Sequence, residues 1–244
     1  MNKRFHPAWM AAAVTFLTLV ANAGFRSAPS VLIIPLQDAF GWSRDAISLA
    51  VSVNVLLFGL TAPFAAALME RFGIRKVVMC AETVVGLGAL ATIFIQKPWH
   101  LVFLWGVIVG IGTGAMALVF AATVANRWFV KRKGLVIGGL TAASATGQLI
   151  FLPGLSWLAV NHGWKSVSIV VGSASLIMVP IIFLFLKESP KAIGLNPYGA
   201  DENYEHPPLM QTNAAKLAID TLKESLPKRD FWYLVGSFFV CGLS

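Results

Sequence analysis

The stretch AALMERFGIRKVV, residues Ala66–Val78, decides how this chain is read. An apolar run without charge ends in it, and a second begins at Val77. Between them Glu70, Arg71, Arg75 and Lys76 crowd around Gly73. A bilayer takes roughly 20 helical residues to cross, and both runs approach or exceed that length. The stretch therefore predicts a tight, charged turn joining two membrane spans.

Composition agrees with that prediction along the whole chain. Of 244 residues, 57% are hydrophobic and 12% charged, where a soluble domain carries about 25% charged residues. Six runs are long enough to span: Trp9–Leu36, Ile47–Met69, Val77–Ile95, Leu101–Val124, Leu135–Leu158 and Val167–Leu186. A seventh starts near Trp232 and stops at Ser244, too short to cross. The first run is too long for a cleaved signal peptide. Cys80 and Cys241 both lie in apolar runs, so no disulfide framework or Cys/His metal site is indicated. The net charge of +8 does not point to nucleic acid. A nucleic-acid binder gathers its cations on one polar face, and here they punctuate hydrophobic runs.

Their distribution among the loops orients the chain. Lys3 and Arg4 precede the first span. Arg71, Arg75 and Lys76 follow the second, and Arg127, Lys131, Arg132 and Lys133 follow the fourth. Lys187, Lys191, Lys216, Lys223, Lys228 and Arg229 follow the sixth. The opposite loops hold only Arg44, Lys97 and Lys165. By the positive-inside rule the N-terminus and the ends of the even-numbered spans are cytoplasmic.

Three regions result: a six-span bundle over 1–186, a cytoplasmic central loop over 187–230, and the start of span seven over 231–244. In the loop, Ala215, Ile219, Leu222 and Leu226 recur at helical spacing. They predict an amphipathic helix on the membrane surface, with Lys216 and Asp220 paired on its other side. Small residues recur every fourth position at Gly106, Gly110 and Gly114, at Gly134 and Gly138, and at Ala143 and Gly147. Such ridges let helices approach closely where lipid supplies no hydrophobic drive. RFGIRKV after span two is echoed by NHGWKSV after span five, as two inverted three-span repeats would require.

The Ala66–Val78 stretch resembles the signature loop of the major facilitator superfamily. Glu70 stands for its acid, with Arg71, Gly73, Arg75 and Lys76 in register; Ala66 replaces the usual glycine. FGWSRDAIS (Phe40–Ser48), NRWFVKRKGLVIGG (Asn126–Gly139), HGWKSV (His162–Val167) and RDFWYLVGSFFVCG (Arg229–Gly242) are similar to its monocarboxylate and oxalate/formate porters. Drug–proton antiporters of the superfamily often carry an arginine in span four, where Gly106 stands here. The resemblance implies an all-α membrane protein: the six-helix N-terminal bundle of a twelve-span fold, truncated in span seven, with the C-terminal half as its expected partner. A half-size protein working as a homodimer is the alternative.

Several residues are candidates for function. The charged turn could gate, its ions pairing with neighbouring helices in one conformation and not the other; a topogenic cluster with a tight glycine turn is the plainer role. Arg26 is a permanent charge in a span, and insertion costs about 2.5–3.5 kcal/mol at mid-helix. It could hold a substrate carboxylate in its guanidinium fork or act as an ion-pair switch. It could equally snorkel from an outer helix end frayed at Pro29 and Pro35. Some monocarboxylate transporters carry a basic residue in a similar setting of span one. Glu82, the lone acid inside a span, could carry a proton or pair with Arg75 or Lys76. Asn54 and Gln148 could line a substrate cavity, and Asn22, Thr113 and Thr146 share that choice with satisfying backbone carbonyls.

Trp9, Trp42, Trp99, Trp157 and Trp164 fall near the expected interfaces, and Pro63 and Pro153 are expected to bend their helices. No catalytic constellation, P-loop or dinucleotide fingerprint occurs, so no enzyme activity or cofactor is expected. These readings converge on a multi-pass inner-membrane transporter of a small organic anion, a monocarboxylate, working by alternating access with proton coupling or exchange. A transport-inactive sensor or assembly subunit on the same fold is the alternative from another class.

Overall fold

The computed structural model describes residues 6–116, 118–201, 204, 219–220, 223–233 and 235–236. Among the described residues six helices have membrane-crossing length: α1 (Pro7–Phe40), α2 (Arg44–Phe72), α3 (Ile74–Phe94), α4 (Pro98–Trp128), α5 (Lys133–His162) and α6 (Trp164–Phe185). Each contains nearly all of the apolar run that predicts it and extends into the polar flanks. The ends follow from local chemistry. Pro7 opens α1 behind His6, whose Nδ1 accepts from the Ala8 amide at 3.2 Å. Gly41 closes α1 in the left-handed conformation, and the Ser43 hydroxyl accepts from Ala46 to start α2.

The tight turn of Ala66–Val78 is a single residue. Gly73 ends α2 and begins α3 with φ +96° and ψ 148°. Gly163 does the same between α5 and α6 with φ +78° and ψ 171°. This backbone region is open essentially to glycine alone. The short echo between RFGIRKV and NHGWKSV is thus a shared hinge geometry. Packing shows the same symmetry: α1 lies chiefly on α5, α4 on α2, and α3 on α6. Exchanging α1 with α4, α2 with α5 and α3 with α6 leaves that pattern unchanged, as two inverted three-helix repeats require.

The glycine ridge of α4 is what lets α2 lie against it. A Cβ on Gly106 would meet the Ala50 carbonyl at 3.1 Å, and one on Gly110 the Asn54 backbone at 3.0 Å. One on Gly114 would meet the Phe58 carbonyl at 2.6 Å. Ala50, Asn54 and Phe58 are themselves four apart, so two ridges run side by side. In α5, Gly147 similarly faces Val20 and Ala23 of α1. Gly134 and Gly138 depart from expectation, because a Cβ on either would meet no other part of the bundle within 4 Å. Spacing puts them on one face, and that face meets open space.

Between Val102 and Val109 α4 is wound as a π-helix. The central helices α1 and α4 have 61% and 59% of their most apolar window buried, against 11% for α2 and 22% for α5. Large apolar side chains on the latter two, among them Leu56, Leu60, Leu149 and Ile150, are exposed.

After α6 the chain returns beneath the bundle. Tyr198 donates its amide to the Trp128 carbonyl at 2.8 Å and accepts from the Val130 amide at 3.0 Å. Its ring meets those of His6, Trp9 and Phe129 at 5.5–5.8 Å. Half of the expected surface helix at Ala215–Leu226 lies outside the described residues; within the other half Ile219, Asp220 and Lys223–Ser225 are helical. Of the seventh span, 231–233 and 235–236 are helical and the rest lies outside the described residues.

Candidate functional site

Two clusters and one isolated charge hold the polar chemistry of the bundle. The isolated charge is Arg26. α1 does not fray at Pro29 or Pro35 but runs through both to Phe40. Arg26 therefore sits well inside the helix, about 21 Å from its outer end and about 29 Å from its start at 1.5 Å per residue. Its guanidinium lies 5.3 Å from the centroid of the Phe58 ring, a cation–π distance. Phe58 is halfway along α2, about 21 Å from either end. The two helices together place the charge near mid-membrane. The side chain is exposed, and among the described residues it enters no salt bridge.

Gln148 lies at the midpoint of α5, half-buried, directly after the Gly147 contact with Val20 and Ala23. It shares Arg26's depth to within about a helical turn. Asn54 has a defined partner. Its Nδ2 donates to the Trp105 carbonyl at 2.7 Å, tying α2 to the π-helical part of α4. Thr113 and Thr146 donate to carbonyls one turn back in their own helices.

One turn before Arg26, Asn22 points into the core. Its Nδ2 donates to Glu82 Oε1 at 2.7 Å and to the Thr18 carbonyl at 3.0 Å. The Ser175 hydroxyl donates to Glu82 Oε2 from the opposite side. Glu82 is fully buried, so α1, α3 and α6 meet at one carboxyl. The expected pairing of Glu82 with Arg75 or Lys76 does not occur. Glu82 shares the buried face of Val78, Val85 and Ala89; Lys76 lies on the exposed face with Cys80 and Leu87, and Arg75 stacks on Phe183 at 4.3 Å.

The second cluster surrounds the α2–α3 turn. Arg127, at the end of α4, bridges Glu70 at 3.1 Å and Glu188 at 2.9 Å. Its Nη2 also donates to the Met69 carbonyl at 3.2 Å, at the end of α2. Glu188, three residues past α6, accepts the Ile74 amide at 2.6 Å and the Arg75 amide at 3.2 Å. A carboxylate thus caps the N-terminus of α3, where unpaired amides and the helix dipole favour negative charge. Gly73 is required here twice over, since a Cβ would meet that carboxylate at 2.6 Å. Four helix ends are fastened by one arginine and two acids.

Of the turn residues singled out in the sequence, Glu70 and Gly73 belong to this fastening. Arg71 and Arg75 lie over the rings of Phe72 and Phe183, and Lys76 is exposed. Sequence reading missed Arg127 and Glu188 as partners, and Ser175 at Glu82. Glu188 did leave a signal: it is an acid set between Lys187 and Lys191 at a span end otherwise marked by cations.

Comparison with known proteins agrees with this architecture. The profile of the Major Facilitator Superfamily matches residues 14–244. The chain belongs to that superfamily. It is 25% identical over 185 residues to the uncharacterized MFS-type transporter YcxA of Bacillus subtilis, covering 75% of this chain and 45% of that protein. It is 30% identical over 195 residues to human monocarboxylate transporter 7, covering 76% and 36%. The structure of the proton:xylose symporter XylE superposes with a TM-score of 0.65 at 15% identity, over 75% of this chain and 46% of that one. The chain spans less than half the length of these relatives. The superfamily is one of membrane transporters, and six membrane-length helices among the described residues make this chain a multi-pass membrane protein.

Proposed function

We propose that this chain is the N-terminal half of a secondary active transporter that carries a small organic anion, a monocarboxylate, by alternating access with proton coupling or exchange. Arg26 carries this reading. It is a permanent cation near mid-membrane that faces outward from the bundle over an aromatic ring, with no carboxylate partner among the described residues. An intramembrane charge is expensive unless a partner or cavity meets it, and a guanidinium fork fits a carboxylate in two parallel hydrogen bonds. Gln148 is assigned to the same site. Asn54 is assigned to holding α2 on α4 beside it.

The weakly buried faces of α2 and α5 are assigned to the contact with a C-terminal half. Glu70, Arg71, Gly73, Arg75 and Lys76, with Arg127 and Glu188, are assigned to the gate on this side, a reading that the ion pairs of Arg127 to Glu70 and Glu188 support. Glu82 is assigned to joining α1, α3 and α6 and not to carrying protons. Charge placement supports an inner-membrane orientation with the N-terminus and central loop cytoplasmic. The sequence similarity to human monocarboxylate transporter 7 supports the substrate class.

The test is uptake of labelled lactate, pyruvate and oxalate by the full-length protein in proteoliposomes, with and without a proton gradient. Saturable uptake of at least one carboxylate is expected. Absence of flux and of counterflow for all three would remove the anion reading.

A further inference from the structure

Beside the α2–α3 turn a cavity of about 1200 Å³ opens between the ends of α2, α3 and α6 and the chain that follows α6. Its charges are unequal. Glu70 and Glu188 line it, but Arg127 and the α3 amides already occupy both carboxylates. Arg71, Arg75, Lys76 and Lys191 also line it, and none of them enters a salt bridge among the described residues. Arg71 and Arg75 rest face-on against Phe72 and Phe183. That stacking leaves the in-plane N–H donors of each guanidinium available. Among the described residues the lining therefore carries excess positive charge, with Arg71 and Arg75 on aromatic supports and no counter-ion bridged to any of the four cations.

The wall of the cavity changes character with depth. Along α3 the lining passes from Lys76 to Met79, Cys80 and Thr83, about 10 Å toward the membrane interior at 1.5 Å per residue. Val84 and Leu87 extend the exposed apolar surface further up the same helix, and Phe183 and Leu184 of α6 are exposed alongside. A soluble anion would use only the charged rim. A molecule with an anionic head and a hydrocarbon tail would use both. The cations of the α4–α5 turn make the contrast: Lys131 and Arg132 are exposed, and neither lines this cavity or has such a wall.

We infer that this cavity is a binding site for an anionic phospholipid. Its phosphate sits among Arg71, Arg75, Lys76 and Lys191, and an acyl chain lies along the Met79–Thr83 face of α3 against Phe183. Basic pockets between span ends suit such headgroups, and each cation near the surface adds to the attraction. The assignment is independent of what the transporter carries.

Native mass spectrometry of the full-length protein in detergent tests it, with added dioleoyl-phosphatidylglycerol, dioleoyl-phosphatidylcholine or inorganic phosphate as probes. Phosphatidylglycerol is expected to be retained as a discrete adduct, and phosphatidylcholine is not. The Lys76→Gln/Lys191→Gln double variant should lose about tenfold or more of that retention, and Lys76→Arg/Lys191→Arg should keep it. Equal retention of both lipids by the unaltered protein would overturn the assignment, as would undiminished phosphatidylglycerol binding in the Gln variant. Displacement of the lipid by an equal concentration of inorganic phosphate would make this a soluble-anion site and overturn it too. A Gln variant that fails to fold leaves the lipid comparison on the unaltered protein decisive.

Discussion

Asn22 and Arg26 are one helical turn apart on α1, and they divide the two charged groups within the apolar spans, buried Glu82 and exposed Arg26, into opposite kinds. Asn22 turns inward and meets Glu82, whose carboxyl also takes the Ser175 hydroxyl and is shut off from solvent. Arg26 turns outward over the Phe58 ring and enters no salt bridge among the described residues. A polar group whose partners all come from inside the bundle contributes to the fold. One that the bundle leaves without a counter-charge is available to something that arrives. The charged turn repeats the division, with Glu70 and Glu188 paired to Arg127 while Arg75 and Lys76 enter no ion pair among the described residues.

The largest effect that would break the comparison lies at Arg26. Removing the charge with Arg26→Gln should cost a bound carboxylate its charge-assisted hydrogen bonds, about 1.5–3 kcal/mol. Carboxylate uptake in proteoliposomes should then fall by up to about a hundredfold. Arg26→Lys should retain part of it, since charge survives without the planar fork. The thermal unfolding midpoint of Arg26→Gln should not fall, because no carboxylate among the described residues loses a partner. Normal uptake with a lowered midpoint would move Arg26 to the structural class.

A smaller effect separates the two hinges. Ala at Gly163 meets only backbone strain, as nothing lies within 4 Å. Ala at Gly73 meets the same strain and also displaces Glu188 from the α3 N-terminus. A carboxylate there is worth up to about 2 kcal/mol. Gly73→Ala should therefore be less stable than Gly163→Ala by about 1–2 kcal/mol, read as a lower unfolding midpoint in detergent. Equal midpoints would mean that Glu188 contributes nothing at the α3 N-terminus.

What was legible in the sequence follows the same line. Hydropathy is local, so all six spans could be read, and the Gly106–Gly114 ridge and the Gly73/Gly163 echo could be read with them. Partner choice is not local. Spacing put Gly134 and Gly138 on one face but did not say that the face is open. The distance along α3 from Lys76 suggested an ion pair for Glu82, whereas its partners come from residues 60 and 93 positions away. Arg127 and Glu188 are 61 positions apart, and only the return of the chain after α6 brings them together.

The smallest effect tests the inward half of the comparison. Glu82→Ala removes the shared acceptor of Asn22 and Ser175. Interhelical hydrogen bonds in membranes average about 0.6 kcal/mol each, because the unfolded spans find other partners in the bilayer. Loss of the two should lower stability by about 1 kcal/mol. Glu82→Gln keeps an acceptor for one donor and should cost about half as much. Neither change should alter the proton dependence of uptake, since Asn22 and Ser175 close the carboxyl inside the bundle. Uptake that loses its response to a proton gradient in Glu82→Gln, with the unfolding midpoint intact, would place Glu82 beside Arg26 as a transport group. The division drawn along α1 would then separate two steps of transport and no longer fold from function.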